Sequence, residues 1–308
     1  MKVTIGIPVY NCERWIEETI RSALAQTWPE KEVLVIDDGS TDGTVEICRS
    51  FGNKIQLVCQ GRRGGNAARN HVLRLASGKW IQFVDADDYL NSEKIAGQLR
   101  GQLRPDSDVI CSPVVFEVWE NDQIISRDPQ LFDLPIDWYS TWIRWNMPQT
   151  GGCLWRKESL RKIGGWNESI SCNQEYELYF RAFRSELKFE WIDVPLAVYR
   201  LWSEDTVCRK DKRAVIAGKT ELIRQFLKWL KATGNFQPEY KRLAGVACFE
   251  MARTLATQNL KQAKEYYAAR RNEGLISVSG PAAPWKYRFA LSCLGFSAAE
   301  QLAKTARR

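Results

Sequence analysis

The sequence predicts an α/β protein built around a mostly parallel sheet, with helices on both faces and a helical region at its C-terminal end. Three observations indicate this class. Short apolar runs alternate with helix-patterned segments through the first hundred residues. Acidic residues directly follow two of those runs, at 37–38 and 85–88, as at the ligand-binding edge of a parallel sheet. From residue 204 onward, long helices with basic outer faces replace this alternation.

The composition is that of a globular protein long enough to bury a sizeable core. The 308 residues are 44% hydrophobic, and 44 Lys and Arg against 37 Asp and Glu give a formal net charge of +7. This excess suits an anionic substrate or a membrane surface and does not alone indicate nucleic-acid binding. The nine cysteines are scattered without a CxxC pair, so we expect reduced thiols in a cytoplasmic protein. We expect no secretory signal and no membrane span, since no apolar run approaches ~18 residues.

The first half alternates strands and helices. Strands are predicted at residues 3–9, 33–36, 55–59 and 80–84, and helices at 13–26, 44–51, 66–76 and 92–103. Pro8 would interrupt a central ladder, so we expect it at a strand end. If the first, second and fourth strands are neighbours, the residues that follow them face one crevice. A dinucleotide-binding fold would need a GxGxxG turn after the first strand, but PVYNCERW has no glycine, which excludes that class of oxidoreductase.

The second half is less regular. A hairpin is predicted from residues 108–118 and 123–126, and a helix at 137–146 places three tryptophans on one face, for which we favour core packing over a sugar-stacking platform. A strand at 150–155 and a helix at 157–163 precede a helix that Asn173 can cap. Short strands follow at 189–192 and 196–199, and further helices at 214–230, 239–257, 260–271 and 284–303.

The segment 79–90, KWIQFVDADDYL, carries the strongest indication of chemistry. Asp85, Asp87 and Asp88 follow a strand that reads as buried, and unpaired buried charges are costly. Carboxylate oxygens suit Mg²⁺ or Mn²⁺, and substrate phosphates usually complete the coordination of such ions. The segment therefore indicates a metal that holds a diphosphate. The alternative is a solvated turn whose aspartates cap the next helix.

Residues 164–183, GGWNESISCNQEYELYFRAF, form the second informative segment. Glu175 lies in the first turn of a predicted helix, where the helix dipole favours an acid. The same position also lets its side chain project into the space that the preceding loop encloses. Glu177 and Arg181 are four residues apart, so a helix-surface ion pair explains them.

Three segments of the chain form a further pattern: VTIGIPVYNCERWIEETIRSALAQTWPEKEVLVIDDGSTDGT, GGNAARNHVLRLASGKWIQFVDADD and GGWNES…NQEYELYFRA. Together they resemble the family-2 inverting glycosyltransferases of GT-A fold. They occur in the family's order and spacing across roughly residues 1–200. The resemblance implies transfer of a sugar from a nucleotide-diphosphate donor, with UDP favoured, to a hydroxyl with inversion at the anomeric carbon.

The resemblance also implies roles for individual residues. Pro8 and Tyr10 correspond to the nucleobase cradle, and Asp37 and Asp38 to the uracil and ribose contacts. Arg69 corresponds to a base-side contact.

Positions later in the chain correspond to residues that contact the sugar and the metal, and to the catalytic base. In the DxD segment, Asp85 and Ala86 lie near the ribose and sugar, and Asp87 binds Mn²⁺ or Mg²⁺. Glu175 takes the position of the catalytic base, and Gln174 replaces the acid that usually precedes it. A carboxylate can take the proton of the acceptor hydroxyl in direct displacement, so no covalent nucleophile is required.

One position departs from the family. Trp202 stands where members often carry a histidine near the metal, and the only histidine, His71, lies in a predicted helix. Arg200 or Lys210 is our hypothesis for the compensating group.

These inferences give a domain plan and a set of partners. Residues 1–203 form the catalytic domain, divided into a nucleotide-binding half (1–103) and an acceptor half (104–203), and 204–308 form a helical region. A saccharide or lipid-linked acceptor is expected near Trp155, Trp166 and Gln174, in synthesis of cell-surface polysaccharide or glycolipid. The aromatic and basic last helix can contact a membrane peripherally. We expect no nucleic-acid partner, and the alternative function is nucleotide-sugar binding without catalysis.

Overall fold

The computed structural model describes residues 1–102, 104–202 and 211–305. The chain forms two compact units, one of Met1–Asp133 with Pro148–Thr206 and the other of Leu134–Met147 with Val207–Arg308. Residues 134–147 therefore group with the C-terminal helices, although the sequence places them within the acceptor half.

The helices and strands follow the predicted order. The strands are β1 (Val3–Val9), β2 (Lys31–Asp37), β3 (Gln56–Cys59), β4 (Trp80–Phe83), β5 (Tyr89–Leu90), β6 (Val109–Cys111), β7 (Val114–Glu120), β8 (Gln123–Pro129), β9 (Cys153–Arg156), β10 (Phe189–Trp191) and β11 (Ala197–Leu201). The helices are α1 (Ile16–Leu24), α2 (Thr44–Ser50), α3 (Gly65–Leu75), α4 (Lys94–Gly101), α5 (Trp138–Ile143), α6 (Lys157–Lys162), α7 (Gln174–Arg184), α8 (Lys212–Ala232), α9 (Pro238–Gln258), α10 (Leu260–Asn272) and α11 (Trp285–Thr305). Short 3-10 turns lie at Gly52–Lys54 and Thr150–Gly152.

The central sheet of the first unit has the strand order β10-β6-β9-β4-β1-β2-β3. Strand β1 is parallel to both β2 and β4, β2 is parallel to β3, and β9 runs antiparallel between β4 and β6. Every residue of β1 is buried, as expected for a strand covered on both faces. The predicted mostly parallel sheet is thus confirmed, and the carboxyl ends of β4, β1 and β2 lie side by side.

Pro8 lies within β1 without costing a ladder bond. The Gly6 carbonyl accepts a hydrogen bond from Val84 on the β4 side, and the Val9 carbonyl accepts one from Asp38 on the β2 side. Because backbone polar groups alternate along a strand, the Pro8 nitrogen faces the β4 side, beyond the last residue of that strand.

A second sheet has the order β5-β11-β7-β8. The predicted hairpin forms between β7 and β8, with Asn121 and Asp122 in the left-handed region at φ 48° and 63°. The predicted strand 108–118 divides at Pro113, which has no N–H to donate. Its first part joins the central sheet and its second part joins this one.

The second unit is an assembly of helices with aromatic contacts. Trp142 is fully buried and stacks on Phe226 with ring centroids 4.2 Å apart, in agreement with the core interpretation. Trp145 has φ 61° and lies beyond the end of α5, so the three tryptophans do not share one helix face as predicted. Helix α11 is kinked at Gly295. No helix in the described ranges is both long and apolar enough to cross a bilayer.

Candidate active site

The polar residues predicted for the site follow three adjacent strands. Tyr10 follows β1, Asp37 and Asp38 end and follow β2, and Asp85 and Asp87 lie in the turn after β4. The loops after β1 and β2 are tied together, because Asn11 Oδ1 accepts from the Thr41 N–H at 2.8 Å. The sheet edge therefore has a connected rim above the strand ends.

Asp37 has one carboxylate oxygen in use and one without a partner. Oδ2 accepts from the N–H groups of Gly39 at 3.1 Å and Ser40 at 3.2 Å. Oδ1 is buried and, within the described part of the chain, has no hydrogen-bond donor. A buried acceptor that lacks a donor is costly, so a ligand N–H would be favourable at this position.

Asp38, in contrast, is fully engaged inside the protein. Its Oδ1 accepts from Gln60 Nε2 at 2.8 Å and Arg63 N–H at 2.9 Å, and its Oδ2 from an Arg62 guanidinium nitrogen at 2.6 Å and Gly64 N–H at 2.8 Å. An ionised carboxylate offers about four acceptor positions. Asp38 is also only 1% exposed. Its role in this conformation is to hold the loop 60–64, and it presents no acceptor to a ligand.

Tyr10 is 41% exposed, but Arg62 covers one face of its ring. The guanidinium carbon lies 3.4 Å from the ring centroid while the same side chain pairs with Asp38. A base stacking on that face would have to displace Arg62, whereas Pro8 is buried within β1.

Arg69 is the buried cation around which the predicted acids are placed. Its guanidinium donates to Asp85 Oδ1 at 2.6 Å and lies over the Trp166 ring at 4.8 Å from the centroid. Burial alone would lower its pKa, but the negative charges of Asp85, Glu175 and Asp87 raise it overall. The structure therefore brings the DxD carboxylates and the predicted base to one site.

Asp87 is held by the residue that departs from the family pattern. The Trp202 indole N–H donates to Asp87 Oδ2 at 2.9 Å. Burial and then the charge of Asp85 raise the pKa of Asp87, more than this hydrogen bond and Arg200 lower it. Asp87 is thus short of compensating positive charge, the situation that a cation relieves.

Arg200 supports the DxD turn from inside. It is 4% exposed, donates to the Asp87 carbonyl at 2.9 Å and pairs with Glu18 at 2.5 Å. The Asp88 carboxylate accepts from the Arg200 N–H at 2.8 Å. Arg200 is thus engaged by the protein itself, and Lys210, the other residue of our hypothesis for the compensating group, lies outside the described residues.

The donor atoms present fit Mg²⁺ or Mn²⁺ held jointly with a substrate. Asp87 supplies a carboxylate in a cluster short of positive charge, and oxygen is the donor that these ions prefer. Among the described residues, no three His, Cys, Asp or Glu side chains converge as a metal cage. The remaining ligands would come from phosphate oxygens and water. The carbonyls of Ala86 and Asp88 lie 2.8 and 2.6 Å from Thr19 Oγ1, whose hydroxyl ties the DxD turn to α1.

Glu175 lies in the first turn of α7 and is positioned by a residue that the sequence analysis did not single out. Thr150 Oγ1 donates to Glu175 Oε1 at 3.0 Å. Burial raises the pKa of Glu175, Arg69 opposes this and Asp85 adds to it, with a net rise. Asn173, predicted as a side-chain cap, instead has left-handed backbone at φ 58° and makes no cap hydrogen bond.

The acceptor residues predicted from sequence do not form one surface. Trp155 is 3% exposed and stacks on Tyr179 within the core, so its ring is not available to a saccharide. Trp166 is 4% exposed and packs between Phe83 and Arg69. Gln174 has a buried Oε1 without a donor among the described residues, and its role at the acceptor stays a prediction.

The loop that carries Trp166 is attached to α3. Asn66 Nδ2 donates to the carbonyls of Asn167 at 2.7 Å and Ile170 at 3.1 Å, and Asn70 donates to the Trp166 carbonyl at 2.8 Å. The face of α3 that presents Arg69 therefore also fixes the segment leading to Glu175. The spacing of Asn66, Arg69 and Asn70 by three and four was the available sequence signal.

Comparisons with known proteins show the family and the fold of the chain. The family model for glycosyl transferase family 2 matches residues 4–164, more than half of the chain. Chondroitin synthase of Escherichia coli is 30% identical over 186 residues, which are 58% of this chain and 26% of that protein. The poly(ribitol-phosphate) β-N-acetylglucosaminyltransferase TarS of Staphylococcus aureus is 41% identical over 101 residues, 31% of this chain and 18% of that protein. The chain thus matches about a quarter or less of these relatives' length.

Solved structures show the same fold. TarS residues 1–349 in complex with UDP-GlcNAc superpose with a TM-score of 0.57 at 18% identity, covering 87% of this chain and 88% of that one. A mannosyltransferase from Pyrobaculum calidifontis in complex with GDP-Man and Mn²⁺ gives 0.52 at 19% identity, covering 99% and 79%. The predicted GT-A fold is confirmed. On the family match and the fold, the chain belongs to glycosyl transferase family 2.

Proposed function

We propose that this protein transfers a sugar from a nucleoside-diphosphate donor, with UDP favoured, to a hydroxyl acceptor with inversion. The observation that carries the proposal is the grouping of Asp85, Asp87 and Glu175 around the buried Arg69. This grouping supplies both the negative charge that favours a metal ion and a carboxylate base, at one edge of the sheet.

In the part of the site proposed for the nucleotide, one hydrogen-bond acceptor is matched to a pyrimidine base. Asp37 Oδ1 is buried and unpartnered in the described chain, and the imide N–H of uracil is a donor of the kind it lacks. Tyr10, partly exposed nearby, offers a ring for stacking once Arg62 moves. The UDP-GlcNAc complex of TarS supports UDP, and the GDP-Man complex of the mannosyltransferase keeps GDP as the second donor to test.

Asp87 is the residue that would hold Mn²⁺ or Mg²⁺, with Trp202 fixing the orientation of its carboxylate. Such an ion, when bound, stabilises the negative charge that develops on the leaving diphosphate. Asp85 is occupied by Arg69 and serves to orient that cation rather than to bind the metal.

Glu175 is the proposed base. Because its pKa is raised, the carboxylate is a stronger proton acceptor than an ordinary glutamate. In a direct displacement it takes the proton of the acceptor hydroxyl as that oxygen attacks the anomeric carbon. The oxygen–carbon bond forms, the bond to the diphosphate breaks, and no covalent enzyme intermediate is needed.

We further propose an acceptor of saccharide or lipid-linked type in cell-surface polysaccharide synthesis, as the names of the relatives suggest. A cytoplasmic protein in peripheral contact with a membrane is consistent with α11, where Trp285 and Phe289 are 67% and 68% exposed beside Lys286 and Arg288.

A donor screen tests the proposal. Thermal shift and hydrolysis would be measured with UDP- and GDP-sugars in Mn²⁺ and in EDTA, with Asp37→Asn as the matched variant. We expect metal-dependent stabilisation by one nucleotide sugar, and Asp37→Asn should weaken it. Binding without turnover would favour the nucleotide-sugar-binding alternative, and no binding of any donor would refute the site.

A further inference from the structure

A buried polar cluster lies beneath the 3-10 turn Thr150–Gly152. It comprises Lys94 and Gln98 of α4 and Gln82 of β4, each 0% exposed. No carboxylate of the described ranges pairs with the Lys94 ammonium; its partners are amide and backbone oxygens. An unpaired, fully buried lysine is costly to retain, and strongly perturbed groups of this kind concentrate at functional sites.

The surroundings of Lys94 match an ammonium. Its Nζ donates to Gln82 Oε1 at 2.9 Å, to Gln98 Oε1 at 2.5 Å and to the Gly152 carbonyl at 3.5 Å. Lys94 donates mainly to the two amide oxygens, because the Gly152 carbonyl also accepts from Gln98 Nε2 and the Ser112 N–H, each at 3.0 Å. The same contacts fix the orientation of both glutamine amides, because their oxygens must face Lys94.

With their oxygens held in this way, the two amides bind the turn from below. Gln82 Nε2 donates to the Gly151 carbonyl and Gln98 Nε2 to the Gly152 carbonyl, both at 3.0 Å. The turn packs closely on the segment that follows β6, since a Cβ on Gly152 would lie 2.7 Å from the Ser112 carbonyl oxygen. The position of Thr150 is therefore determined by the cluster.

We propose that Lys94 is a positioning residue for the base. It acts through Gln82 and Gln98 on the turn, and so holds Thr150 Oγ1 within hydrogen-bond distance of Glu175 Oε1. The catalytic part of this inference rests on the proposed function, in which Glu175 accepts the proton. Its structural part, the link from Lys94 to the Glu175 carboxylate, does not.

The test measures both parts on the full chain. The variants are Thr150→Val, Thr150→Ser, Lys94→Met and the double variant Thr150→Val/Lys94→Met, with Gln98→Met as a second variant if Lys94→Met fails to fold. The first readout is the pKa of Glu175, which NMR of its carboxyl carbon measures without any substrate. The second is kcat and KM for hydrolysis of UDP-GlcNAc with Mn²⁺.

A hydrogen bond to the ionised form lowers the pKa of a carboxyl group, so Thr150→Val and Lys94→Met should each raise the pKa of Glu175 by about one unit. Thr150→Ser should leave it unchanged, and the double variant should be no worse than either single one. We expect kcat to fall about tenfold in the same variants, with KM for the donor unaffected. An unchanged Glu175 pKa in Lys94→Met, or effects that add in the double variant, would overturn the inference. Glu175→Gln with full turnover would instead overturn the proposed base and leave the structural link standing.

Discussion

Substituting the two adjacent buried aspartates at the end of β2 should have opposite consequences. In Asp38→Asn, an amide group replaces an oxygen that accepts two hydrogen bonds, whichever way the new side chain is oriented. One orientation abandons Gln60 and the Arg63 N–H, and the other abandons Arg62 and the Gly64 N–H. In Asp37→Asn, the amide can occupy the unpartnered Oδ1 position while the other oxygen keeps its two bonds.

The expected magnitude follows from these contacts. In Asp38→Asn, each orientation of the new amide leaves one backbone N–H of the loop unsatisfied, at about 1–3 kcal/mol. Weakening of the pair with Arg62, which is about half exposed, adds at most about 1 kcal/mol. We expect Asp38→Asn to lower the free energy of unfolding by about 1–4 kcal/mol, and the melting temperature of a unit of this size by roughly 2–16 °C. Asp37→Asn should change it by less than about 1 kcal/mol.

Thermal and urea unfolding of the protein without nucleotide would measure the stabilities, and calorimetric titration with UDP in Mn²⁺ the affinities. Asp37→Asn should retain stability and lose affinity at least about tenfold, since a buried acceptor for the base becomes a donor. An Asp38→Asn protein with wild-type stability and weakened UDP binding would refute the reasoning and restore Asp38 as a ligand contact.

Three further predictions concern other parts of the first unit. Trp155→Ala should lower the free energy of unfolding by about 3–5 kcal/mol, because the ring is in the core; an acceptor KM that rises with no loss of stability would contradict this. Burial lowers the pKa of Lys94 to about 7, below the ~10.4 of the unfolded chain. Between these two pH values only the unfolded state binds the proton, so the stability of the wild type should rise with pH. Urea unfolding should show a rise of up to about 1.4 kcal/mol per pH unit relative to Lys94→Met. Parallel plots of stability against pH for the two proteins would contradict this prediction. Trp202→Phe should weaken Mn²⁺ binding in the UDP complex roughly tenfold by removing the donor to Asp87. Trp119→Phe, which removes an indole donor to Glu117 instead, should not; equal affinities of the two variants would refute the role of the Trp202 indole.

The sequence was sufficient to predict the sheet and the acids at its edge. Both follow from local signals, namely apolar runs of strand length and carboxylates directly after them. Because β4, β1 and β2 are neighbours, residues from three distant segments meet as expected. Glu175 reaches the same place for a local reason as well, because this residue lies in the first turn of α7, directly after an irregular loop.

The use made of each side chain could not be predicted in the same way. Asp37 and Asp38 are adjacent and chemically identical, and what distinguishes them is the loop 60–64, which arrives from another part of the chain and saturates Asp38. Thr150 was missed because nothing near it in sequence indicates an acid 25 residues later. The burial of Trp155 depends on packing against α7, which periodicity does not report.

The most direct test of the central claim is the turnover of Glu175→Gln compared with its donor affinity. Both would be measured with the nucleotide sugar that the screen selects, in Mn²⁺, across a pH series on wild type and variant. We predict retained donor affinity, turnover reduced by about 10²–10⁴-fold, and in the wild type an acid limb of kcat/KM above pH 4.5, because the pKa of Glu175 is raised from that value. A Glu175→Gln protein with wild-type turnover would contradict the assignment of the base.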